Sequence, residues 1–202
     1  GSGWIIELNS EALPKVLVNN RYFATISTAT QSKEDKRYIN DCYQSANWLV
    51  KSLHQRATTI LKVSSEIVRQ QEAFFSKGVQ YLRPLVLRDI ADAIDMHEST
   101  VSRVTSNKFI SSPRGIFELK YFFTAAISSS SGDETYSSES VRYRIKSLID
   151  NETIDEILSD DKIVNILKSQ GIDVARRTVA KYREAMGLAS SIQRRREKKS
   201  AL

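Results

Sequence analysis

Four cations lie close together near the end of the chain, in the run ARRTVAKYRE at 175–184. A helix over this run places one apolar stripe on a single face at 3.6 residues per turn, formed by Ala175, Val179, Tyr182 and Met186. The cations then point elsewhere; they are Arg176, Arg177, Lys181 and Arg183. Such a helix suits a polyanion, and its width suits the major groove of DNA. An ordinary solvated helix is the alternative that the charge pattern alone leaves open.

The residues before this run predict a helix-turn-helix. Ser159-Asp160-Asp161-Lys162 offer a capping hydroxyl and two acids to the first turn of a preceding helix, and Gly171 can end that helix. Asp173 is then expected to cap the basic helix. Two helices joined by a short turn with a glycine, the second helix cationic, are typical of this motif.

A second, weaker helix-turn-helix is expected upstream. Leu87–Ile94 reads as a short helix, and Asp95 with Glu98 resembles a capping box for the next one. Its outward side chains are the candidate DNA contacts of this unit, with the hydroxyls expected mostly on phosphates: Ser99, Thr100, Ser102 and Arg103. The spacing from Ile94 to Val101 repeats that from Ile172 to Val179. With one cation, this unit alone should bind DNA weakly.

The run at 175–184 resembles the RpoN box, the signature of the bacterial sigma-54 family of transcription initiation factors. The resemblance extends through HESTVSRV at 97–104 and PRGIFELKYFF at 113–123. It implies that the RpoN box recognises an upstream, GG-containing promoter element and that the first helix-turn-helix lies at a downstream, GC-containing element. The partners it implies are double-stranded promoter DNA, core RNA polymerase and an ATP-hydrolysing activator that acts through family regions expected to be absent here.

The expected fold is mainly α, with an extra-long helix, a helix-turn-helix domain and a separate small three-helix domain that holds the RpoN box. The expected parts are the end of a core-binding region at 1–34, the extra-long helix at 35–78, the helix-turn-helix domain at 79–127, a Ser-rich linker at 128–140 and the RpoN domain at 141–202. The linker is expected because seven serines stand among the residues 128–140.

The segment 36–77 contains neither glycine nor proline, and its apolar residues recur every seven positions. It predicts one long helix whose weak point is Ala57–Ile60, and packing within a monomer is favoured over a coiled-coil dimer. Cys42 on its apolar side is expected to be buried. Before it, Trp4–Leu8 and Lys15–Val18 predict a small hairpin or extended strap.

Arg176 and Arg177 are the candidate base contacts, since arginine reads guanine in the major groove. Contacts with the DNA backbone are predicted for Thr178, Lys181, Tyr182 and Arg183. Arg114, in a sharp turn at Pro113-Arg114-Gly115, is a further candidate for a phosphate contact. The aromatic run Ile116–Phe123 is predicted to be buried rather than to stack on bases.

The net charge of +6 lies entirely in the terminal segment 171–202, which holds nine Lys or Arg and three Asp or Glu. Clustered cations favour a phosphate-contacting surface. The basic run Arg194–Lys199 is predicted to be a frayed tail, because it lacks apolar residues to dock it.

No catalytic constellation, cofactor motif or metal-ligand set is found in the sequence, and lone His54 and His97 read as structural. No apolar run has the length of a membrane span, so a cytoplasmic protein is expected. Two alternatives remain: a freestanding two-headed repressor, and a DNA-processing enzyme with Tyr182 as its nucleophile.

Overall fold

The computed structural model describes residues 3–128, 135–153 and 156–200, and the described chain is mainly helical, as predicted. It divides into two compact units, Gly1–Ser65 and Glu66–Leu202. The boundaries of the five parts expected from the sequence do not coincide with the boundary between these two units, and that division into five parts remains a prediction. In the described ranges no helix has both the length and the hydropathy required to cross a membrane.

The first unit contains α1 (Asn20–Ala29) and most of α2 (Lys33–Gln70). The ring of Phe23 stacks on that of Tyr43 at 3.8 Å between centroids. Residues 3–19 form no strand, so the predicted hairpin is wrong, while the extended strap stays a prediction. Pro14 has no N–H to donate to a strand ladder, and the side chain of Asn9 accepts from the N–H of Glu11 in a local turn instead.

Helix α2 continues through its predicted weak point and breaks further on. Thr58 and Thr59 donate their hydroxyls to the carbonyls four residues before them, and the helix tolerates both. The break is at Gln71, a buried side chain that donates to the carbonyl of Arg83 at 2.9 Å and accepts from the Arg83 N–H at 3.0 Å. Helix α3 (Glu72–Lys77) then follows and ends at Gly78, as predicted.

Cys42 is exposed, which contradicts its predicted burial. No residue of α1 is buried, so the apolar side of α2 around Cys42 is not closed within the first unit. Large apolar side chains also remain exposed there, among them Trp4, Leu17 and Trp48.

The first helix-turn-helix consists of α4 (Leu87–Ala93) and α5 (Glu98–Thr105). A hairpin of β1 (Phe109–Ser112) and β2 (Gly115–Glu118) follows, and its turn is the predicted one. Phe74 packs edge-on against Phe117 and Phe122 at 5.2 and 5.3 Å between centroids. Burial of the aromatic run is confirmed for Phe122, but Ile116 is exposed.

The rest of the chain contains β3 (Ala126–Ser128), β4 (Thr135–Ser137), α6 (Ser138–Asp150), α7 (Asp160–Ser169), α8 (Arg176–Ala185) and α9 (Ser191–Ser200). Residues 129–134, six of the thirteen residues of the predicted linker, lie outside the described residues. Its described part is ordered: β4 pairs with β3, and the Ser137 hydroxyl accepts from the N–H of Ser140 at the start of α6.

The core of this region joins α6, α7 and α8. Its fully buried members include Ile145, Ile163, Leu167 and Val179. The basic run lies in α9, and Arg194 pairs there with the buried carboxylate of Glu152. The predicted frayed tail is therefore wrong. The equal spacing of the two helix-turn-helix units holds in the structure, because Val101 and Val179 are both fully buried fourth residues of their helices.

Candidate nucleic-acid interface

Helix α8 is positioned by the cap and the turn that the sequence predicted for α7. The hydroxyl of Ser159 accepts from the N–H of Lys162 at 3.3 Å, and Gly171 follows α7 with φ +83°. A left-handed backbone at this position favours glycine. Ile172 and Val174, in the turn, are buried and fix the start of α8 against the core.

The N-terminus of α8 differs from the prediction. Its N-cap is Ala175, which offers no side-chain hydrogen bond, and Asp173 lies exposed in the turn instead of capping. Asp173 lies two residues before the N-cap position, because the buried Val174 stands between it and Ala175. The N–H groups of Arg176 and Arg177 consequently have no acceptor within the described ranges.

Two cations of α8 are exposed and unpaired within the described ranges, and a third is weakly paired. The side chains of Arg177 and Lys181 form neither a hydrogen bond nor an ion pair with any described residue. Arg176 approaches Asp161 at 3.3 Å, with 69% of its side chain exposed. An exposed pair of this kind contributes little, so Arg176 can exchange Asp161 for another anion.

Arg183 was predicted to contact the DNA backbone, but its side chain is buried within the domain. Its guanidinium is 7% exposed, donates to Asp160 at 3.0 Å, and donates to the carbonyl of Leu188 at 2.9 Å. The side chain lies on the inner side of α8, where it ties the helix to the first turn of α7. It therefore stabilises the helix-turn-helix, and this internal role argues against the predicted contact with the DNA backbone.

The two remaining predicted residues of α8 are partly covered. Tyr182 packs against the core, and the guanidinium of Arg142 lies 4.8 Å from its ring centroid. Thr178 is half-buried at the end of the first turn. The position of Tyr182 argues against its use as a nucleophile, and contacts of either residue with the DNA backbone remain predictions.

In α5 the cap is His97 rather than Asp95. The Nδ1 atom of His97 accepts from the N–H of Ser99 at 3.1 Å, while Asp95 adopts φ +53° in the turn, outside the capping geometry. This gives His97 the structural role expected for it. Arg103 is exposed and unpaired in the part of the chain that the structure describes. Its predicted neighbours Ser99, Thr100 and Ser102 range from exposed to half-buried.

Arg114 has an internal role that the sequence did not predict. Its Nε donates to the carbonyl of Phe75 at 2.8 Å, and its Nη2 donates to the carbonyl of Ser76. The guanidinium thereby satisfies carbonyls at the end of α3. A cation is favourable there because the C-terminal end of a helix carries a partial negative charge. This geometry does not support Arg114 as a phosphate contact.

Sequence reasoning missed the site that holds α9. The carboxylate of Glu152 has no exposed surface and accepts from Arg194 at 2.8 and 3.0 Å, from the N–H of Leu158 at 3.1 Å, and lies 3.5 Å from Lys198. We call Glu152, Arg194 and Lys198 the Glu152 cluster. Burial raises the pKa of Glu152, but the hydrogen bonds from Arg194 and Leu158 and the two positive charges outweigh it and hold the pKa below its usual value.

No group of three or more His, Cys, Asp or Glu that could hold a metal ion occurs within 3–128, 135–153 and 156–200.

The chain resembles proteins of one family over most of its length. The family model described as "Sigma-54, DNA binding domain" matches residues 36–196. An RNA polymerase sigma-54 factor of Azorhizobium caulinodans is 64% identical over 197 residues, which cover 98% of this chain and 38% of that protein. The RNA polymerase sigma-54 factor of Caulobacter vibrioides is 60% identical over 203 residues, which cover 100% of this chain and 41% of that protein.

A solved structure agrees with these matches. The crystal structure of Aquifex aeolicus sigmaN bound to promoter DNA has a TM-score of 0.60 and 32% sequence identity, over 95% of this chain and 56% of that one. The chain spans about two fifths of the length of the curated relatives it matches. The family match over residues 36–196 and the identities of 60% and 64% agree with the fold, and the chain therefore belongs to the sigma-54 family.

Proposed function

We propose that this chain recognises promoter DNA for a sigma-54-type transcription initiation factor. Helix α8 enters the major groove at an upstream element that contains GG, and Arg176 and Arg177 contact the bases there. Lys181 contacts the phosphate backbone. Helix α5 lies at a downstream element that contains GC, where Arg103 is its cation. The comparisons do not favour the freestanding repressor.

The observation that carries this proposal is the first turn of α8. Arg176 and Arg177 stand at the N-terminal end of a helix, where the helix dipole disfavours cations, and no side chain caps the N–H groups beside them. The two arginines do not stabilise the fold at this position. Their presence is therefore better explained by binding of an anion from outside the chain. The phosphate backbone supplies that anion, and N-terminal residues of a recognition helix are those that reach base edges.

The relatives are named RNA polymerase sigma-54 factors, and we propose the same assembly for this chain. In that assembly it directs core RNA polymerase to activator-dependent promoters, and the ATP-hydrolysing activator acts through parts of the relatives that this chain does not span. We further propose that the chain has no catalytic activity, needs no cofactor, and acts as a monomer in the cytoplasm.

The test is fluorescence anisotropy on a duplex that carries both elements and on a duplex with the upstream GG replaced. Arg177→Ala should weaken binding to the first duplex by about 1–3 kcal/mol, roughly 5- to 150-fold, and should reduce the preference for it over the second. Lys181→Ala should weaken both duplexes alike and reduce the slope of log K against log salt by about 1.

Lys146→Ala is the matched control, because Lys146 is exposed on α6 and has no partner in the described residues. It should leave the preference for GG unchanged. Equal loss on both duplexes for Arg177→Ala would mean that the arginine holds phosphate without reading bases, and the proposed specificity would fail.

A further inference from the structure

Helix α9 is held rigidly on the same packed region as α8. Arg194 is buried, reaches both oxygens of Glu152 and donates to the carbonyl of Leu158 at 2.8 Å. Lys198, one turn later, donates to the carbonyl of Glu152 at 2.7 Å. Two of the five cations of α9 are thus used to dock the helix, and the other three are left for a different purpose.

Those three cations share one outward stripe of α9. Arg195, Arg196 and Lys199 follow the spacing that puts residues on one helix face, all three are exposed, and none has a partner among the described residues. We call them the α9 stripe. The helix's one acid, Glu197, lies on the other flank and accepts from Gln193 at 3.0 Å. The charge of α9 is therefore concentrated on one side.

The α9 stripe lies close to α8 along the chain. Five residues separate the end of α8 at Ala185 from the start of α9 at Ser191, and the distance between these two ends is at most about 20 Å. This is less than one turn of B-DNA, about 34 Å. The segment is also fixed at both ends, because Leu188 accepts from Arg183 and Arg194 bonds to the carbonyl of Ala189.

We propose that the α9 stripe binds the phosphate backbone of the duplex that α8 reads, at phosphates flanking the upstream element. The occupant follows from charge: three preformed, unpaired cations fit a polyanion whose charges lie about 1.7 Å apart along the axis. The proposal rests on the proposed function of α8. It adds an electrostatic contact that carries no sequence preference, so α9 raises affinity while α8 supplies the choice of site.

The test compares the full chain with the triple variant Arg195→Gln, Arg196→Gln, Lys199→Gln. Loss of three phosphate contacts should lower the slope of log K against log salt by about 2.7. Between 50 and 200 mM salt the binding of the unsubstituted chain should consequently fall about 40-fold more than that of the variant. The ratio of affinities for the duplexes with and without GG should be the same for both proteins.

The control is Lys33→Gln, Lys36→Gln, Arg37→Gln, which removes the same charge from exposed positions at the start of α2. An unchanged slope in the α9 variant, or an equal change in both triples, overturns the proposal. An unchanged slope with weaker binding to core RNA polymerase also overturns it, and assigns the stripe to a protein partner.

Failure of the proposed function is distinguishable. If the unsubstituted chain binds both duplexes equally, base reading by α8 is absent, whereas a lower slope for the α9 variant still supports phosphate contact by α9. Glutamine favours helix, so the variant should keep α9 folded. Hydrogen exchange of residues 188–200 verifies this: equal protection with a lower slope supports the proposal, and a lower slope caused only by lost protection overturns it.

Discussion

Replacing Glu152 by alanine should release α9 from the domain. The side chain of Glu152 has no exposed surface, and that of Arg194 is 7% exposed. Removing one partner of a buried ion pair costs about 3–5 kcal/mol, because the other charge stays buried without compensation. In Glu152→Ala the guanidinium keeps only the carbonyls of Ala189 and Leu158, which cannot neutralise it. Undocking of α9 is then the least costly relaxation.

Hydrogen exchange measured by mass spectrometry on a peptide spanning 188–200 reports this undocking directly. A loss of about 3 kcal/mol corresponds to exchange roughly a hundredfold faster. Fluorescence provides an internal reference, since both tryptophans, Trp4 and Trp48, lie in the first unit and should not respond. Glu156→Ala is the matched control, because Glu156 is exposed.

The same peptide should respond to pH in the unsubstituted chain. The folded pKa of Glu152 lies below its ordinary value of 4.5, so the folded state binds fewer protons than the unfolded state near that pH. The stability of the docked helix is therefore fully present above pH 4.5 and is lost as the pH falls through the folded pKa. Equal exchange in Glu152→Ala, Glu156→Ala and the unsubstituted chain would refute the reasoning about the Glu152 cluster.

Three further predictions concern single positions. Cys42 should react with a thiol reagent in the native protein nearly as fast as in denaturant, because it is exposed; a reaction that requires denaturant contradicts this. Gly187→Ala should lower the melting temperature by the equivalent of about 1–2 kcal/mol through backbone strain alone, because φ is +70° and nothing lies within 4 Å of an added Cβ; an unchanged melting temperature argues against that strain. Gln71→Ala should destabilise the second unit by about 1–3 kcal/mol in urea denaturation, because two hydrogen bonds to Arg83 are lost. The control Gln80→Ala, at an exposed position, should leave the stability unchanged. Equal effects of the two substitutions would contradict the role of Gln71.

Local sequence signals predicted the features that depend on local chemistry. Ser159 caps α7 and Gly171 follows it with a positive φ, because both effects act within one helical turn. The shared spacing of Val101 and Val179 was also readable, since periodicity determines which side of a helix is buried.

The errors depend on residues far apart in the chain. Gln71 breaks α2 through a residue twelve positions later, and Arg194 docks α9 through a carboxylate 42 positions earlier. Arg183 was predicted to bind DNA because the sequence shows its charge. The sequence does not show that its partner is Asp160, which lies 23 positions away. Charge alone does not distinguish a cation that stabilises the fold from one that faces solvent.

The common register of α5 and α8 makes the two recognition helices exchangeable parts. Each begins three residues before its buried valine, Val101 or Val179, so outward positions correspond one to one. The corresponding pairs are Glu98 with Arg176, Ser99 with Arg177 and Arg103 with Lys181. Under the proposed function the first two of these positions carry the sequence preference and the third holds phosphate. Transplanting the three side chains of α8 onto α5 should therefore convert a chain with two different readers into one that prefers a repeated GG element.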